Sequence, residues 1–317
     1  MRLNIILFTI VLGFMVSGAV FFVFIYPINL PESSLGIENL NKEEPLNSGQ
    51  AFLLPVAEGD NSPVRDFNIE DPVIEAKSAA LYDVSSKKFL YVKNVNKRLP
   101  IASITKLMTA VVIVENLDLT RVYTVPAEAV NVDGFGADLY RGEKISGLDL
   151  LKIMLIKSSN DAAMTFMVEG RKQDIDLVIK MNEKAEQLGM TSTYFLDTAG
   201  LDDSGAFSTA ADLIKLVHYA SNYDMLVNVL ATPVADVSSI GGLIKHQVVN
   251  TNQLLGRIDG IIFGKTGFTD DALGTMVMQL AVDGGNEKMI SVILGSNDRF
   301  GEMGKLINWG RQAYSWQ

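Results

Sequence analysis

The hydrophobic pattern divides the chain into a long apolar run, a polar segment and a region of mixed periodicity. The apolar run extends from Ile5 to Ile28 and contains no ionisable side chain except Tyr26. In a helix, about 20 apolar residues span the ~30 Å hydrocarbon core of a bilayer, so the run predicts an uncleaved transmembrane anchor. The apolar core of a cleaved signal peptide is usually about 7–15 residues long, and cleavage is therefore the alternative interpretation.

Charged residues are distributed unevenly around the apolar run. Arg2 and the α-amino group precede it and acidic residues follow it, which predicts a single-pass protein with residues 1–4 in the cytoplasm and the rest outside. Residues 29–76 hold ten Asp and Glu, two basic residues and five of the nine prolines. Mutually repelling charges and prolines favour an extended linker over a packed core. The sequence thus predicts an anchor at 5–28, a linker at 29–76 and a domain at 77–317.

Residues 77–317 show the periodicities of one mixed domain. Ala79–Val92 has the pattern of a hairpin around a polar turn, and helical spacing runs from Ala102 to Val114. Further helical patterns cover Leu148–Ile156, Asp161–Val168, Asp174–Leu188, Ala210–Ser221, Met225–Leu230 and Phe300–Tyr314. Strand composition returns in Gly264–Thr269, Thr275–Val282 and Lys288–Leu294. These elements predict an α+β fold: an antiparallel sheet built from N- and C-terminal strands, with flanking helices and an inserted helical lobe.

Composition narrows the chemistry that this domain can perform. The 317 residues carry a net charge of −10 and include no cysteine. Thiolate catalysis, cysteine-ligated metal centres and disulfides are therefore excluded. An acidic chain without a basic cluster does not have the composition of a nucleic-acid-binding protein. The two histidines, His218 in a predicted helix and His246 in a strand-like stretch, are interpreted as structural.

The first motif is Ser103-Ile104-Thr105-Lys106, at the start of the helix predicted from Ala102. Residues i and i+3 lie on one face of a helix, so the lysine can reach the serine hydroxyl. The lysine can act as a base if burial or a neighbouring cation keeps its amine neutral. Taken alone, a first-turn serine beside a solvated lysine is the simpler interpretation. The same spacing recurs at Ser85 and Lys88, in the predicted hairpin turn.

Two further motifs occur once each. Ser158-Ser159-Asn160 lies between two predicted helices, where it either caps a helix or presents a hydroxyl and an amide together. Lys265-Thr266-Gly267 lies on a predicted strand, where it is either part of an ordinary turn or a site for a carboxylate and an extended peptide. The stretch Gly260–Thr266 also approaches a phosphate-binding loop, but it has one residue too few between its glycines and no parallel sheet or helix pattern follows.

Together and in this order, the three motifs resemble the set found in penicillin-binding proteins and class A β-lactamases. Their surroundings, Ala102–Ala110, Ser158–Ala163 and Gly264–Thr269, are similar to the D-alanyl-D-alanine carboxypeptidases among the low-molecular-weight penicillin-binding proteins. The resemblance spans about residues 78–309 and implies a β-lactamase/transpeptidase-like fold. Ser159 stands where the family usually has glycine, and the segment before the third motif is three residues longer than usual.

The resemblance implies a serine-type D-Ala-D-Ala carboxypeptidase. Such an enzyme removes the terminal D-alanine from peptidoglycan stem peptides through a serine acyl-enzyme, needs no metal or cofactor, and is inhibited covalently by β-lactams. Ser103 would be the nucleophile and Lys106 its base. Ser158 and Lys265 would pass a proton to the leaving D-alanine, and Asn160 would position Lys106 and the substrate amide.

The resemblance also implies the residues that hold the substrate. Lys265, Thr266 and Gly267 would form the binding strand, with Lys265 and Thr266 on the terminal carboxylate. The backbone N–H groups of Ser103 and Phe268 would form the oxyanion hole, where a single donor is worth about 3 kcal/mol in the transition state.

Three other functions share parts of this pattern. A D,D-endopeptidase that cuts peptidoglycan cross-links carries the same motifs. A class A β-lactamase would need a glutamate-led segment for deacylation, and the corresponding stretch Tyr194–Gly200 contains no glutamate. A non-catalytic, membrane-tethered module that binds wall peptides would have lost the nucleophile or its base, and both Ser103 and Lys106 are present.

Overall fold

A computed structural model of the protein describes residues 62–131, 139–201 and 205–316. The predicted cytoplasmic N-terminus, the predicted anchor and most of the predicted linker lie outside these residues. Within the described ranges, no helix combines the length and apolar character needed to cross a bilayer.

The described residues form the predicted α+β arrangement. The strands are β1 (Val64–Arg65), β2 (Ser78–Asp83), β3 (Lys88–Lys93), β4 (Val122–Thr124), β5 (Lys144–Ser146), β6 (Val234–Ser238), β7 (Lys245–Val249), β8 (Ile261–Thr269), β9 (Leu273–Val282), β10 (Glu287–Ser296) and β11 (Tyr314–Ser315). The helices are α1 (Thr105–Asn116), α2 (Gly147–Ile156), α3 (Asn160–Arg171), α4 (Leu177–Gln187), α5 (Ala210–Ala220), α6 (Asp224–Ala231) and α7 (Arg299–Ala313). Every segment predicted as helical contains a helix, and the predicted hairpin and late strands are confirmed.

Five strands form an antiparallel sheet in the order β3-β2-β10-β9-β8. Strand β2 pairs with β10, where Ala80 lies opposite Val292, so the N- and C-terminal parts of the domain meet in one sheet. Along β10, Val292 packs into the helical lobe and Ile293 into the cluster beneath α7. Because both faces are covered, β10 is apolar along most of its length instead of alternating. Strand β8 lies at an edge of this sheet.

Helix α1 is the centre of the helical lobe. Its residues from Thr105 to Ile113 are all buried, the pattern of a helix that is enclosed on every side. Helices α2, α4 and α5 pack around it. The single 3-10 turn that precedes α1, Ala102–Ile104, contacts β8 and β9. The fold therefore holds the beginning of α1 between the lobe and the edge strand.

The folded domain begins before the predicted boundary at Lys77. Strand β1 pairs with β11 at the other end of the domain, and Ile74 and Ala76 are buried. The carboxylate of Glu302 accepts hydrogen bonds from the backbone N–H groups of Glu75 and Ala76. The last part of the segment predicted as linker is thus packed against the domain. The sequence did not predict this packing, because the segment is acidic and contains proline and the residues that it contacts lie far along the chain, in α7 and β11.

The longer segment before the third motif is accommodated at the start of β8. Ile261 lies opposite Leu280 and Phe263 lies opposite Gln279, so the register shifts at a β-bulge between them. Gly260 precedes the bulge with φ +73°, a left-handed conformation that favours glycine. Beyond the bulge the pairing is regular through Thr269. The extra residues therefore leave the third motif in an ordinary strand.

Candidate active site

Ser103 lies in the 3-10 turn before α1, and Lys106 lies in the first turn of that helix. The Lys106 Nζ donates a hydrogen bond to the Ser103 Oγ over 2.9 Å. Ala102 has φ +49°, a conformation that is uncommon and strained for a residue with a side chain. Gly200 makes room for this turn, because a Cβ on Gly200 would lie 1.9 Å from the carbonyl oxygen of Ala102.

Lys106 is completely buried and is surrounded by hydrogen-bond acceptors. Besides Ser103, its Nζ donates to Asn160 Oδ1 and to the Ala199 carbonyl oxygen, each over 2.7 Å. Burial lowers the pKa of Lys106 to about 7, and the carboxylate of Asp197 opposes that decrease. An amine with a pKa near neutrality can accept a proton at physiological pH, as a general base must.

The three residues of the second motif make three different contacts. The middle one, Ser159, caps α3 by accepting a hydrogen bond from the Ala162 N–H over 3.2 Å. Ser158 has φ +63° and accepts a hydrogen bond from Lys265 Nζ over 2.7 Å. Asn160, the first residue of α3, faces Lys106 through its side-chain oxygen. The capping interpretation therefore applies to Ser159, and the outer two residues are brought to the candidate site.

The third motif lies on edge strand β8. The Nζ of buried Lys265 also donates to the Thr266 carbonyl oxygen over 2.9 Å. A Cβ on Gly267 would lie 2.9 Å from the backbone nitrogen of Ser103 and 2.5 Å from Thr275 Oγ1. Glycine is needed here because β8 passes directly beside the nucleophile turn. The predicted oxyanion donors, the N–H groups of Ser103 and Phe268, are thus at the same end of the site, since Phe268 follows Gly267.

The buried amine of Lys265 lies close to two other basic side chains, Lys106 and Arg299. The pKa of Lys265 is lowered well below its ordinary value, first by burial and then by the positive charges of Lys106 and Arg299. Burial also lowers the pKa of Arg299. Excess positive potential in a buried site favours an anionic ligand such as a carboxylate.

These residues border a small cleft of about 80 Å³. Its lining consists of Ser103, Lys157, Ser158, Thr251, Thr266, Gly267, Phe268 and Arg299. Lys106 and Lys265 lie behind this lining and reach it through hydrogen bonds to Ser103 and Ser158, and Asn160 accepts a hydrogen bond from Lys106. The structure thus brings Ser103, Lys106, Ser158, Asn160 and the third motif to one place.

Sequence reasoning missed several residues of the site. Arg299, the first residue of α7, has its guanidinium 5.8 Å from the Phe268 ring. Thr251 Oγ1 accepts a hydrogen bond from Thr266 Oγ1 over 2.6 Å. Asp197 lies in the loop that provides the Ala199 acceptor to Lys106. Only Asp197 carries a local signal, because Asp-Thr-Ala-Gly is a turn sequence.

The two histidines lie in secondary structure elsewhere in the domain. His218 lies in α5, and His246 lies in β7 with its Nε2 2.7 Å from Glu143 Oε1. Neither residue lines the cleft that the described residues form.

Comparisons with known proteins place this geometry in a family. The family model described as D-alanyl-D-alanine carboxypeptidase matches residues 65–298. The D-alanyl-D-alanine carboxypeptidase DacF of Bacillus subtilis is 31% identical over 250 residues, which cover 76% of this chain and 63% of the relative. A D-alanyl-D-alanine endopeptidase of Haemophilus influenzae is 35% identical over 203 residues, which cover 62% of this chain and 68% of the relative.

Solved structures show the same architecture. The crystal structure of a D-alanyl-D-alanine carboxypeptidase from Mycobacterium tuberculosis aligns with a TM-score of 0.70 at 28% identity, covering 80% of this chain and 99% of that chain. The match to DacF spans less than two thirds of that relative's own length. The resemblance inferred from the three motifs is confirmed over most of the chain. This chain belongs to the serine-type D-alanyl-D-alanine carboxypeptidase family of hydrolases.

Proposed function

We propose that this protein removes the terminal D-alanine from peptidoglycan stem peptides through an acyl-enzyme on Ser103. The observation that carries the proposal is the contact between Ser103 Oγ and Lys106 Nζ, at 2.9 Å, with the lysine completely buried. A nucleophilic hydroxyl needs an adjacent group that is neutral near the working pH and can take its proton. Burial gives Lys106 that property, since it lowers the pKa of the amine to about 7.

In the acylation step, Ser103 Oγ attacks the carbonyl carbon between the two D-alanines and Lys106 takes the hydroxyl proton. The backbone N–H groups of Ser103 and Phe268 receive the negative charge that develops on the carbonyl oxygen. Asn160 accepts a hydrogen bond from Lys106 and so holds the amine against the nucleophile. A preorganised arrangement of this kind stabilises the transition state without moving dipoles during the reaction.

The leaving amine takes its proton from Ser158, which is replenished by Lys265. This assignment is supported by the Lys265–Ser158 hydrogen bond of 2.7 Å and by the position of Ser158 in the cleft lining. Thr266 and Arg299 also line the cleft and are suited to the terminal carboxylate, with the positive charge of Lys265 behind them. Hydrolysis follows when water replaces the departed D-alanine and attacks the ester from the same side.

The loop that corresponds to the deacylating segment of class A β-lactamases is used differently. Asp197 is the one acidic residue between Tyr194 and Gly200, and both of its carboxylate oxygens accept backbone N–H groups of their own loop. Between Tyr194 and Gly200, the carboxylate of Asp197 is thus used to hold its own loop, and the sequence has no glutamate there to activate water. This supports slow deacylation of β-lactams, which would act as covalent inhibitors and not as substrates.

An endopeptidase that cuts cross-links is the second candidate, because relatives of that name match the chain. Digestion of purified muropeptides by the full-length protein, with Ser103→Ala as control, separates the two. A carboxypeptidase shortens monomeric pentapeptides by one alanine and leaves cross-linked dimers intact, as followed by mass. Conversion of dimers to monomers with pentapeptides unchanged would establish the endopeptidase instead. No change in either substrate would overturn both proposals.

We also propose that residues 5–28 anchor the protein in the cytoplasmic membrane with the domain outside. The support is their almost wholly apolar sequence, which contains no charged side chain, and the acidic residues that follow. The protein should then keep Met1 and stay in the membrane fraction after carbonate extraction. N-terminal sequencing that begins near Val20 or later would show a cleaved signal.

A further inference from the structure

Asp197 determines the shape of the turn that follows it. Its Oδ1 accepts hydrogen bonds from the Ala199 N–H over 2.6 Å and the Gly200 N–H over 2.5 Å, and its Oδ2 accepts one from the Leu201 N–H over 3.3 Å. A carboxylate that accepts several backbone N–H groups fixes a turn more strongly than a neutral acceptor does. The backbone direction of residues 199–201 therefore depends on one side chain.

This turn contacts the base and the nucleophile segment together. The carbonyl oxygen of Ala199 accepts a hydrogen bond from Lys106 Nζ over 2.7 Å. Gly200 has φ +77° and packs against the carbonyl of Ala102, the residue before Ser103. A rotation of the turn would therefore remove one of the acceptors of Lys106 and would disturb the backbone that presents Ser103.

The turn is also attached to the helices that carry the motifs. Thr109 in α1 donates its hydroxyl to the Thr198 carbonyl oxygen over 2.8 Å. The Thr198 hydroxyl donates to the Ala163 carbonyl oxygen in α3 over 3.1 Å. Because the neighbouring residue is held on both sides, Asp197 acts within a rigid frame, and its carboxylate stays close to the Lys106 amine.

The charge of Asp197 acts on Lys106 in the direction opposite to burial. Burial lowers the pKa of Lys106 and Asp197 raises it, so that the value stays at about 7. On the other side, β8 contributes the cation Lys265. Other charged residues near the three motifs are Lys157 at the end of α2, Asp161 in the first turn of α3 and Arg299 at the start of α7. A base whose pKa falls far below the working pH is neutral but too weak, so an opposing charge improves proton transfer.

We propose that Asp197 is a positioning residue for the reaction: its carboxylate aims the Ala199 carbonyl at Lys106 and provides the negative charge that keeps this base strong enough to take the Ser103 proton. The inference rests on the function proposed above for Ser103 and Lys106. It assigns no contact between Asp197 and the substrate.

The test is the pH dependence of acylation of the full-length protein by a chromogenic β-lactam. Asp197→Asn keeps an oxygen acceptor for the turn and removes the charge. An opposite charge close to a titrating group shifts its pKa by about one unit or more, so the acidic limb of the acylation profile should move about one pH unit downward. The rate on the plateau should also fall, because Lys106 becomes a weaker base.

Asp176→Asn is the matched control. Asp176 caps α4 in the same way, by accepting the N–H groups of Val178 and Ile179, and it is not among the charges that act on Lys106. This variant should lose a similar cap and leave the acidic limb unmoved. Should Asp197→Asn fail to fold, Asp197→Ser provides a neutral hydroxyl acceptor and is measured in the same way.

The outcomes distinguish this inference from the proposed function. An acidic limb of Asp197→Asn that stays in place or moves upward, with normal acylation of Ser103 in the unaltered protein, would overturn the role of Asp197 alone. A downward shift seen equally in Asp176→Asn would also overturn it, because the effect would then come from lost capping. Absence of any Ser103 adduct in the unaltered protein would overturn the proposed function itself.

Discussion

The amine of Lys265 donates a hydrogen bond to the hydroxyl of Ser158 over 2.7 Å. Both residues are buried, and Ser158 is held at φ +63°, a backbone conformation that costs of order 1 kcal/mol or more for a residue with a side chain. The hydrogen bond links the edge strand β8 to the turn between α2 and α3. It joins two motifs that are far apart in sequence into one side of the cleft.

Ser103→Ala should abolish the covalent adduct that penicillin forms with the protein. The adduct should be found by mass on the tryptic peptide that contains Ser103. Ser85→Ala is the control, because Ser85 and Lys88 show the same spacing but contact Glu287 and Ser62 instead of each other. An adduct on Ser85, or one that survives Ser103→Ala, would contradict the assignment of the nucleophile.

The acylation rate of the unaltered protein should rise with pH through about 7. Burial lowers the pKa of Lys106 to about 7, and only the neutral amine accepts a proton, so the active fraction grows as pH increases through that value. Stopped-flow acylation with a neutral ester measures this limb without the contribution of a substrate carboxylate. Lys106→Gln should remove the activity at every pH. A profile that is flat across neutral pH would exclude Lys106 as the base.

Lys265→Gln should move the same acidic limb upward. Positive charge on Lys106 lowers the pKa of Lys265. Two protonated amines repel each other, so replacing a protonated Lys265 by a neutral side chain lets Lys106 keep its proton to higher pH. The direction is opposite to that expected for Asp197→Asn. With a D-Ala-D-Ala peptide, KM should also increase, since a cation near the carboxylate is lost. If the acidic limb measured with the neutral ester does not move in Lys265→Gln, Lys265 binds the substrate but does not affect the pKa of Lys106.

Gly200→Ala should destabilise the protein by roughly 2–5 kcal/mol, the sum of left-handed strain and overpacking. The added Cβ would lie 1.9 Å from the Ala102 carbonyl oxygen, at a residue with φ +77°. Gly256→Ala is the matched control, because Gly256 has φ +74° with nothing within 4 Å of its Cβ position. Gly256→Ala should reduce the free energy of unfolding by about 1–2 kcal/mol, from backbone strain alone. Denaturant unfolding of both variants checks the difference, and equal losses would contradict the close approach.

Local sequence patterns were sufficient to predict much of the secondary structure of this protein and its fold class. Hydrophobic residues that recur every two or every 3.6 positions can be recognised within a short window of sequence. Such periods predicted the hairpin of β2 and β3, the helix that begins after Ala102 and the strands β8 to β10. The three motifs and their order identified the family, because each is a short stretch whose residues are neighbours in the chain. The α+β class followed from the order of these elements.

The site itself depends on contacts between residues that are distant in the chain. The serine-x-x-lysine spacing by itself does not distinguish Ser85 with Lys88 from Ser103 with Lys106, and the sequence favoured Ser103 only through its helical setting and the other motifs. Burial gives the physical difference between them: Lys106 is enclosed by α1 and its neighbours, whereas Lys88 is exposed. Desolvation is a property of the packed fold, and it lowers the pKa of Lys106 in a way that no local pattern contains.

The same reason explains the residues that sequence reasoning missed. Arg299 comes from the start of α7 and Thr251 from the connection between β7 and β8, and both meet Thr266 or Phe268 only when the sheet has formed. The start of the domain at β1 was missed because its pairing partner is β11, at the opposite end of the domain. The sequence by itself determined which elements form and which motifs they carry. The tertiary structure alone decided which side chains meet and which are removed from water, because both depend on packing between distant segments.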